Sequence, residues 1–322
     1  MENDSTAVDV LIVGAGPAGL ACAIAAKEAG LPHCVLDKGS VAEAIRRFPT
    51  NLTFFSTPEL LEIGNIPFMA AGFRPTRIEV VRYYQRVVYE YELAIAYSSP
   101  VRSLRRKNQW FEVETDSKTY TAKNLVFATG YFDSPNPFNI PGADLAKVSR
   151  YYDEPFKFYG QRVAVVGGKN SAIEIALDLF RNGAEVTLIH RGKTFSDGVK
   201  YWVLPDIKNR IKTEEIKGLF ETTVREITPS AVVVQGRHEG VIPNDAVFVM
   251  IGYRPDTVLL EQAGVRIDPE SLAPFHDLET METNIQGLYV AGSIAAGKFN
   301  NKIFIENGRL HGSTIVDHIR RK

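Results

Sequence analysis

Three glycines, Gly14, Gly16 and Gly19, follow a short apolar run (DVLIV, residues 9–13) in the spacing G-x-G-x-x-G. Each position of that pattern has its own chemical reason. The first glycine makes a tight turn, the second lets backbone approach a pyrophosphate, and the third lets a helix pack close to a strand. The helix that opens there offers free N–H groups and a positive dipole end to phosphate. Asp37 ends the next apolar run (HCVLD) 23 residues after Gly14, near the offset at which an acid accepts from a ribose 2′-OH.

The same chemistry recurs at residues 162–192 (RVAVVGGKNSAIEIALDLFRNGAEVTLIHRG), with Gly167 in the place of Gly14, 153 residues on. Gly168, Lys169, Asn170 and Ser171 form the second turn, with Ala172 in the third fingerprint position. His190 takes the place of Asp37, at the same 23-residue spacing, and Arg191 and Lys193 follow it. A carboxylate at that strand end suits a free 2′-OH, whereas basic groups suit a 2′-phosphate. The first turn is therefore expected to take FAD and the second NADPH rather than NADH. Lys169 stands where it adds charge at the pyrophosphate, or where it is simply a solvated loop lysine.

These residues need strand, turn, helix and strand in order, twice. The expected fold is α/β, with two Rossmann-like dinucleotide-binding domains. Two further matching segments, residues 124–136 (NLVFATGYFDSPN) and 245–256 (DAVFVMIGYRPD), each read as an apolar strand, a glycine and a proline-containing turn. Gly130 and Gly252 would let backbone pass close to cofactor or to a neighbouring strand. The second domain then lies inserted in the first: residues 1–130 and 253–322 bind FAD, and residues 131–252 bind NADPH. The returning segment, residues 284–312, carries GLYVAGS, read as a strand followed by a helix whose N-terminus points at the flavin.

Composition excludes other classes. The 322 residues fit about two domains. A net charge of -1 speaks against a polyanionic partner, so no nucleic acid is expected, and the basic run RSLRRK (residues 102–107) reads as a solvated hairpin turn. Two cysteines, Cys22 and Cys34, fit a reducing cytoplasm and not a disulfide scaffold. The acidic start MENDSTAVDV has no basic region of a secretory signal. The apolar residues 10–26 contain turn glycines and a proline, so no membrane span is expected. No metal is expected either.

GAGPAG, FATG, VVGGKNSA, LIHRG, VMIGYRPD and GLYVAGS, taken in order, resemble the thioredoxin reductase-like two-dinucleotide-domain flavoproteins over nearly the whole chain. FPTNLTFFSTPELLEIGNIPF, GGKNSAIE and IFIENGRLHG are similar to the YpdA-type bacillithiol disulfide reductase family, which lacks the usual acid after the VAG strand; the position here is Ser293. The resemblance implies that Gly14, Gly16, Asp37 and Lys38 hold the ADP part of FAD, with Val101 near the adenine. Thr129 and Gly130 would pass near the flavin, and Gly292 and Ser293 near the ribityl chain. Gly168, Lys169, Asn170 and Ser171 would hold the NADPH phosphates, with Glu174 near the nicotinamide and His190 and Arg191 at the 2′-phosphate. Glu306 and Asn307 either line the flavin face or serve as helix acid and cap.

Two departures bear on the activity. Thioredoxin reductases carry CxxC before the second dinucleotide strand, where this chain reads VSRYYDEPFKFYGQRV. The bacillithiol disulfide reductases carry one cysteine inside the first fingerprint, where this chain has Ala18. The expected function is an FAD-dependent reductase that passes hydride from NADPH to FAD and on to a small oxidant, such as bacillithiol disulfide. Ferredoxin–NADP reductase, flavin monooxygenase and a flavin redox sensor without turnover are the alternatives. Cys22 is the thiol candidate, although its helix neighbours suggest burial. A homodimer or higher homo-oligomer is expected.

Overall fold

A computed structural model describes residues 5–299 and 302–322; residues 1–4 of the acidic start lie outside it. The chain forms two compact units, Met1–Ser134 with Tyr253–Lys322, and Pro135–Gly252.

The first unit is built on β1 (Ser5–Val13), β2 (His33–Leu36), β3 (Ile95–Ala96), β4 (Val101–Lys107), β5 (Trp110–Thr115) and β6 (Thr119–Phe127). Its sheet runs β3-β2-β1-β6-β5-β4. The strands that carry the first fingerprint are parallel: β1 pairs β2 and β6, and β2 pairs β3. Parallel strands buried on both faces read as continuous apolar runs, and Val10, Leu11 and Ile12 are wholly buried. The helix Pro17–Glu28 follows β1, with seven buried residues from Gly19 to Ala26. The helix His311–Arg321 packs on it through Gly312, where a Cβ would lie 2.5 Å from the Ala21 backbone.

The basic run is not a turn. Residues 102–107 lie in β4, antiparallel to β5, and the chain turns at Asn108, whose φ is +57°. The charges are matched across that edge: Arg102 pairs with Asp116, Arg105 with Glu112 and Glu114, and Lys107 with Glu112. The alternation of acids on β5 favours strand over turn, because Arg105 and Lys107 find partners across the ladder and Arg102 finds one just beyond it.

The second unit contains β7 (Val148–Ser149), β8 (Arg162–Val166), β9 (Glu185–Ile189), β10 (Lys217–Leu219), β11 (Thr222–Ile227), β12 (Ala231–Gly236), β13 (Gly240–Pro243) and β14 (Ala246–Val249). A parallel sheet runs β10-β9-β8-β14-β7, and an antiparallel sheet runs β11-β12-β13. The helix Asn170–Arg181 connects β8 to β9 and buries Ala172, Ile173, Ile175, Ala176, Leu177 and Leu179. In the first unit β15 (Leu288–Val290) returns to pair with β6. A five-residue 3-10 turn, Gly292–Ala296, follows it in place of the α-helix expected there.

Candidate cofactor-binding sites

The three glycines of the first turn are required for three different reasons. Gly14 has φ +112° and a Cβ on it would lie 2.5 Å from the Ala128 carbonyl oxygen. A Cβ on Gly19 would lie 1.9 Å from the Gly14 carbonyl oxygen, so helix and turn meet backbone to backbone. Gly16 is different: a Cβ there meets no protein atom within 4 Å. No protein atom demands glycine at position 16, and the space beside it is open to a ligand. Gly16 is also the N-cap of the helix Pro17–Glu28, with no side-chain cap and no acid in the first turn. The positive end of that helix is left for an anion from outside the chain. These residues fit the pyrophosphate of FAD.

Asp37 closes the turn. Its carboxylate accepts from Ala15 N–H at 2.7 Å and from Gly39 N–H at 2.7 Å. Burial pushes its pKa up, the two N–H donors pull it back, and nearby Glu43 and Asp133 raise it. A carboxylate offers about four lone-pair sites, so two remain for a ribose. Lys38 reaches out to Asp133 at 3.0 Å. Val101 opens β4 and pairs with Thr115.

Around the far end of β6, Ala128 N–H donates to the Val13 carbonyl at 2.8 Å. Thr129 follows, exposed, and then Gly130 with φ +67°, 3.5 Å from Ser293 Oγ by a Cβ placed on it. Gly292 has φ +71°, and a Cβ on it would lie 2.7 Å from the Ala18 Cβ. Ala18, Gly292, Ser293 and Gly130 are therefore brought together. Gly308 joins them, because its Cβ would sit 3.2 Å from the Gly292 Cα. Sequence reasoning missed His311 here: its Nδ1 accepts from Gly292 N–H at 3.2 Å. That bond and the lowered pKa, from burial first and His276 second, describe a neutral ring.

Glu306 accepts a hydrogen bond from the buried Ser56 hydroxyl. Asn307 is a local brace: its Oδ1 accepts from Phe304 N–H at 2.8 Å and its Nδ2 donates to the Lys302 carbonyl at 2.9 Å.

The second turn repeats the first bond for bond. Gly14 N–H donates to Leu36 and Gly167 N–H to Ile189, while Ala128 N–H donates to Val13 and Met250 N–H to Val166. Gly167 has φ +149° and faces the Met250 carbonyl as Gly14 faces Ala128. The difference lies in the side chain that closes the turn. The His190 ring lies over Gly168 and Gly192, where added Cβ atoms would come within 2.3 and 2.6 Å of it. Its Nε2 is 3.1 Å from the Thr194 carbonyl, so this nitrogen carries the proton. Burial and then Arg191 lower its pKa against that carbonyl's opposite pull, and Phe195 stacks on the ring. His190 thus packs over the turn, whereas Arg191 and Lys193 are exposed. Lys169 is the uncapped N-cap of the helix Asn170–Arg181, which has no acid in its first turn. Ser171 is exposed beside it. Gly252, with φ +89°, packs against Asn136, which donates to the Ile251 carbonyl at 3.0 Å.

Asn170 and Glu174 have partners no motif announced. Asn170 Nδ2 donates to the Gly198 carbonyl at 3.0 Å and its Oδ1 accepts from Lys200 N–H at 2.8 Å. Lys200 Nζ reaches Glu174 at 2.6 Å. Neither cysteine is poised as a nucleophile. Cys22 is wholly buried and its thiol is pushed up to about 12 by desolvation. Cys34 is half-buried and also raised by burial, partly offset by Lys118. Among the described residues, no helix is long and apolar enough to cross a membrane.

Comparison with known proteins gives these sites a setting. Residues 11–292 match the family described as pyridine nucleotide-disulphide oxidoreductase. The bacilliredoxin reductase Bdr of Bacillus subtilis is 41% identical over 97% of each chain. The solved bacillithiol disulfide reductases Bdr (YpdA) of Staphylococcus aureus and Bacillus cereus superpose with TM-scores of 0.95 and 0.96, at 38% and 39% identity. They cover 98% of this chain and 99% and 100% of their own. Proteins of this kind are FAD- and NAD(P)H-dependent reductases. With its two fingerprint turns and these relatives, the chain belongs to the pyridine nucleotide-disulphide oxidoreductase family, in its YpdA-type branch of thioredoxin reductase-like flavoproteins.

Proposed function

We propose that this protein uses NADPH and FAD to reduce a low-molecular-weight disulfide of the bacillithiol type, without an enzyme thiol. Bound FAD supplies the two-electron chemistry that links the nicotinamide to the disulfide. The chain contributes binding and orientation. Gly16 and the helix Pro17–Glu28 receive the FAD pyrophosphate, and Asp37 receives the ribose while holding the turn through Ala15 and Gly39. Thr129, Gly130, Gly292 and Ser293 line the flavin end. The neutral His311 ring fixes the Gly292 backbone there. In the second unit Gly168, Asn170 and Ser171 receive the NADPH phosphates, and Arg191 and Lys193 take the 2′-phosphate. His190 shapes the turn beneath them.

The observation that carries the thiol-free reading is the state of Cys22. A thiol pushed to about 12 is protonated at neutral pH, and the thiolate is the nucleophile. Ala18 stands where the resembling family has its cysteine, against Gly292. The test is the double variant Cys22→Ala, Cys34→Ala, assayed for NADPH oxidation with bacillithiol disulfide. Turnover within a few-fold of the parent supports the proposal. A loss of a hundredfold or more, about 2.7 kcal/mol in barrier, with FAD still bound and still reduced by NADPH, refutes it. We further propose a cytoplasmic location, which its two free cysteines support, and a homo-oligomeric state, which light scattering tests.

A further inference from the structure

The loop after β9 sends Lys200 back to the second fingerprint. Asn170, the first residue of the helix Asn170–Arg181, holds the loop backbone at two points, Gly198 and Lys200. The lysine ammonium then reaches Glu174, the fifth residue of that helix, at 2.6 Å. Its ammonium also faces the Trp202 ring, 5.6 Å from the centroid. The pair is part-buried, and the loop that carries the lysine is fixed to the second fingerprint helix by both ends of the Asn170 amide. A cation fixed beside a dinucleotide-binding turn suits a phosphate arriving from outside.

We propose that Lys200 is a binding residue for the pyrophosphate of the nicotinamide dinucleotide, kept in place between turnovers by Glu174. The inference rests on the reading of the second unit as the NADPH site and adds to it a residue outside the fingerprint. The ammonium has three donors, and the Glu174 contact uses one of them. The Lys200 side chain is 30% exposed and that of Glu174 35%, so the ammonium can meet a ligand without leaving its partner. Both NADPH and NADH carry the pyrophosphate, whereas only NADPH carries the 2′-phosphate. Lys200 must therefore support both dinucleotides alike, and Arg191 only one.

The experiment is equilibrium titration of the FAD-loaded protein with NADP+ and with NAD+, in the parent and in Lys200→Met and Lys200→Arg. Lys200→Met is expected to raise both dissociation constants by about tenfold or more, as for loss of one charge-assisted contact. Their ratio stays unchanged, and Lys200→Arg recovers most of the affinity. Unchanged binding of both dinucleotides in Lys200→Met overturns the proposal. So does a loss confined to NADP+, which would assign Lys200 to the 2′-phosphate. Parent protein that binds neither dinucleotide refutes the cofactor reading of the second unit, and this proposal with it. The flavin absorbance of each variant, expected to match the parent, shows that the first unit is intact.

Discussion

Gly16→Val separates ligand binding from folding. The backbone at Gly16 has φ −78° and ψ 176°, a region any residue adopts, and a Cβ there has no protein atom within 4 Å. The apo-protein should therefore lose no stability, and fixing the unfolded chain at that residue even favours the fold slightly. The ligand bears the whole effect. A branched side chain on the N-cap keeps a pyrophosphate from the N–H groups of the first helical turn. Losing two charge-assisted bonds costs about 3 kcal/mol or more, over a hundredfold in Kd. The control is Gly19→Ala, where the added Cβ would sit 1.9 Å from the Gly14 carbonyl oxygen and backbone must move. Overpacking of that kind costs about 1–3 kcal/mol. In a domain of 150–250 residues each kcal/mol lowers Tm by about 2–4 °C. The assay is the flavin-to-protein absorbance ratio of the purified variants, with thermal melts of the flavin-stripped proteins. Gly16→Val should be colourless and melt with the parent apo-protein, whereas Gly19→Ala should melt lower. A stoichiometrically yellow Gly16→Val protein would refute the placement of FAD on the first turn.

Arg191→Ala should raise the Michaelis constant for NADPH by about tenfold and leave NADH nearly unchanged, since only NADPH carries the 2′-phosphate. Equal use of both dinucleotides by the parent would contradict that assignment. Ser171→Trp, a bulky change at an exposed position beside the second turn, should leave the flavin spectrum intact and weaken NADPH binding; loss of flavin instead would speak against separate sites. His190 and His311 are both held below the usual histidine value by burial. Between those lowered values and about 6.5 the unfolded chain binds more protons than the native one, so stability rises with pH across that window. The melting temperature should fall as pH drops below about 6.5, and less steeply in His190→Gln; an identical pH slope in that variant would mean that His190 titrates normally.

The two fingerprints are legible in the sequence because their spacing is dictated by local backbone geometry. A turn that must reach φ +112° at Gly14 and +149° at Gly167 needs glycine whatever surrounds it. The apolar strands and the small residues of the first helix follow from burial on both faces. For the same reason the spacing of residues 14, 16, 19 and 37 marks one turn and the strand end that closes it. The tertiary structure decides what spacing does not encode. His190 sits where Asp37 sits, and charge alone suggests a phosphate ligand. Its ring packs on Gly168 and Gly192, and its Nε2–H donates to the Thr194 carbonyl, which spacing does not show. The basic run of β4 is a strand because its partners lie across the ladder on β5 and just beyond it, at Asp116. Lys200 and His311 carry no local signal, since Asn170 and Gly292, the residues that hold them, are 30 and 19 positions away. The alanine neighbours of Cys22 point to burial, but its inertness rests on the sheet beneath the helix and on the helix that covers it. A sequence shows which residues a turn requires; the groups that neutralise, shield or pin them come from elsewhere in the chain, and only folding brings those together.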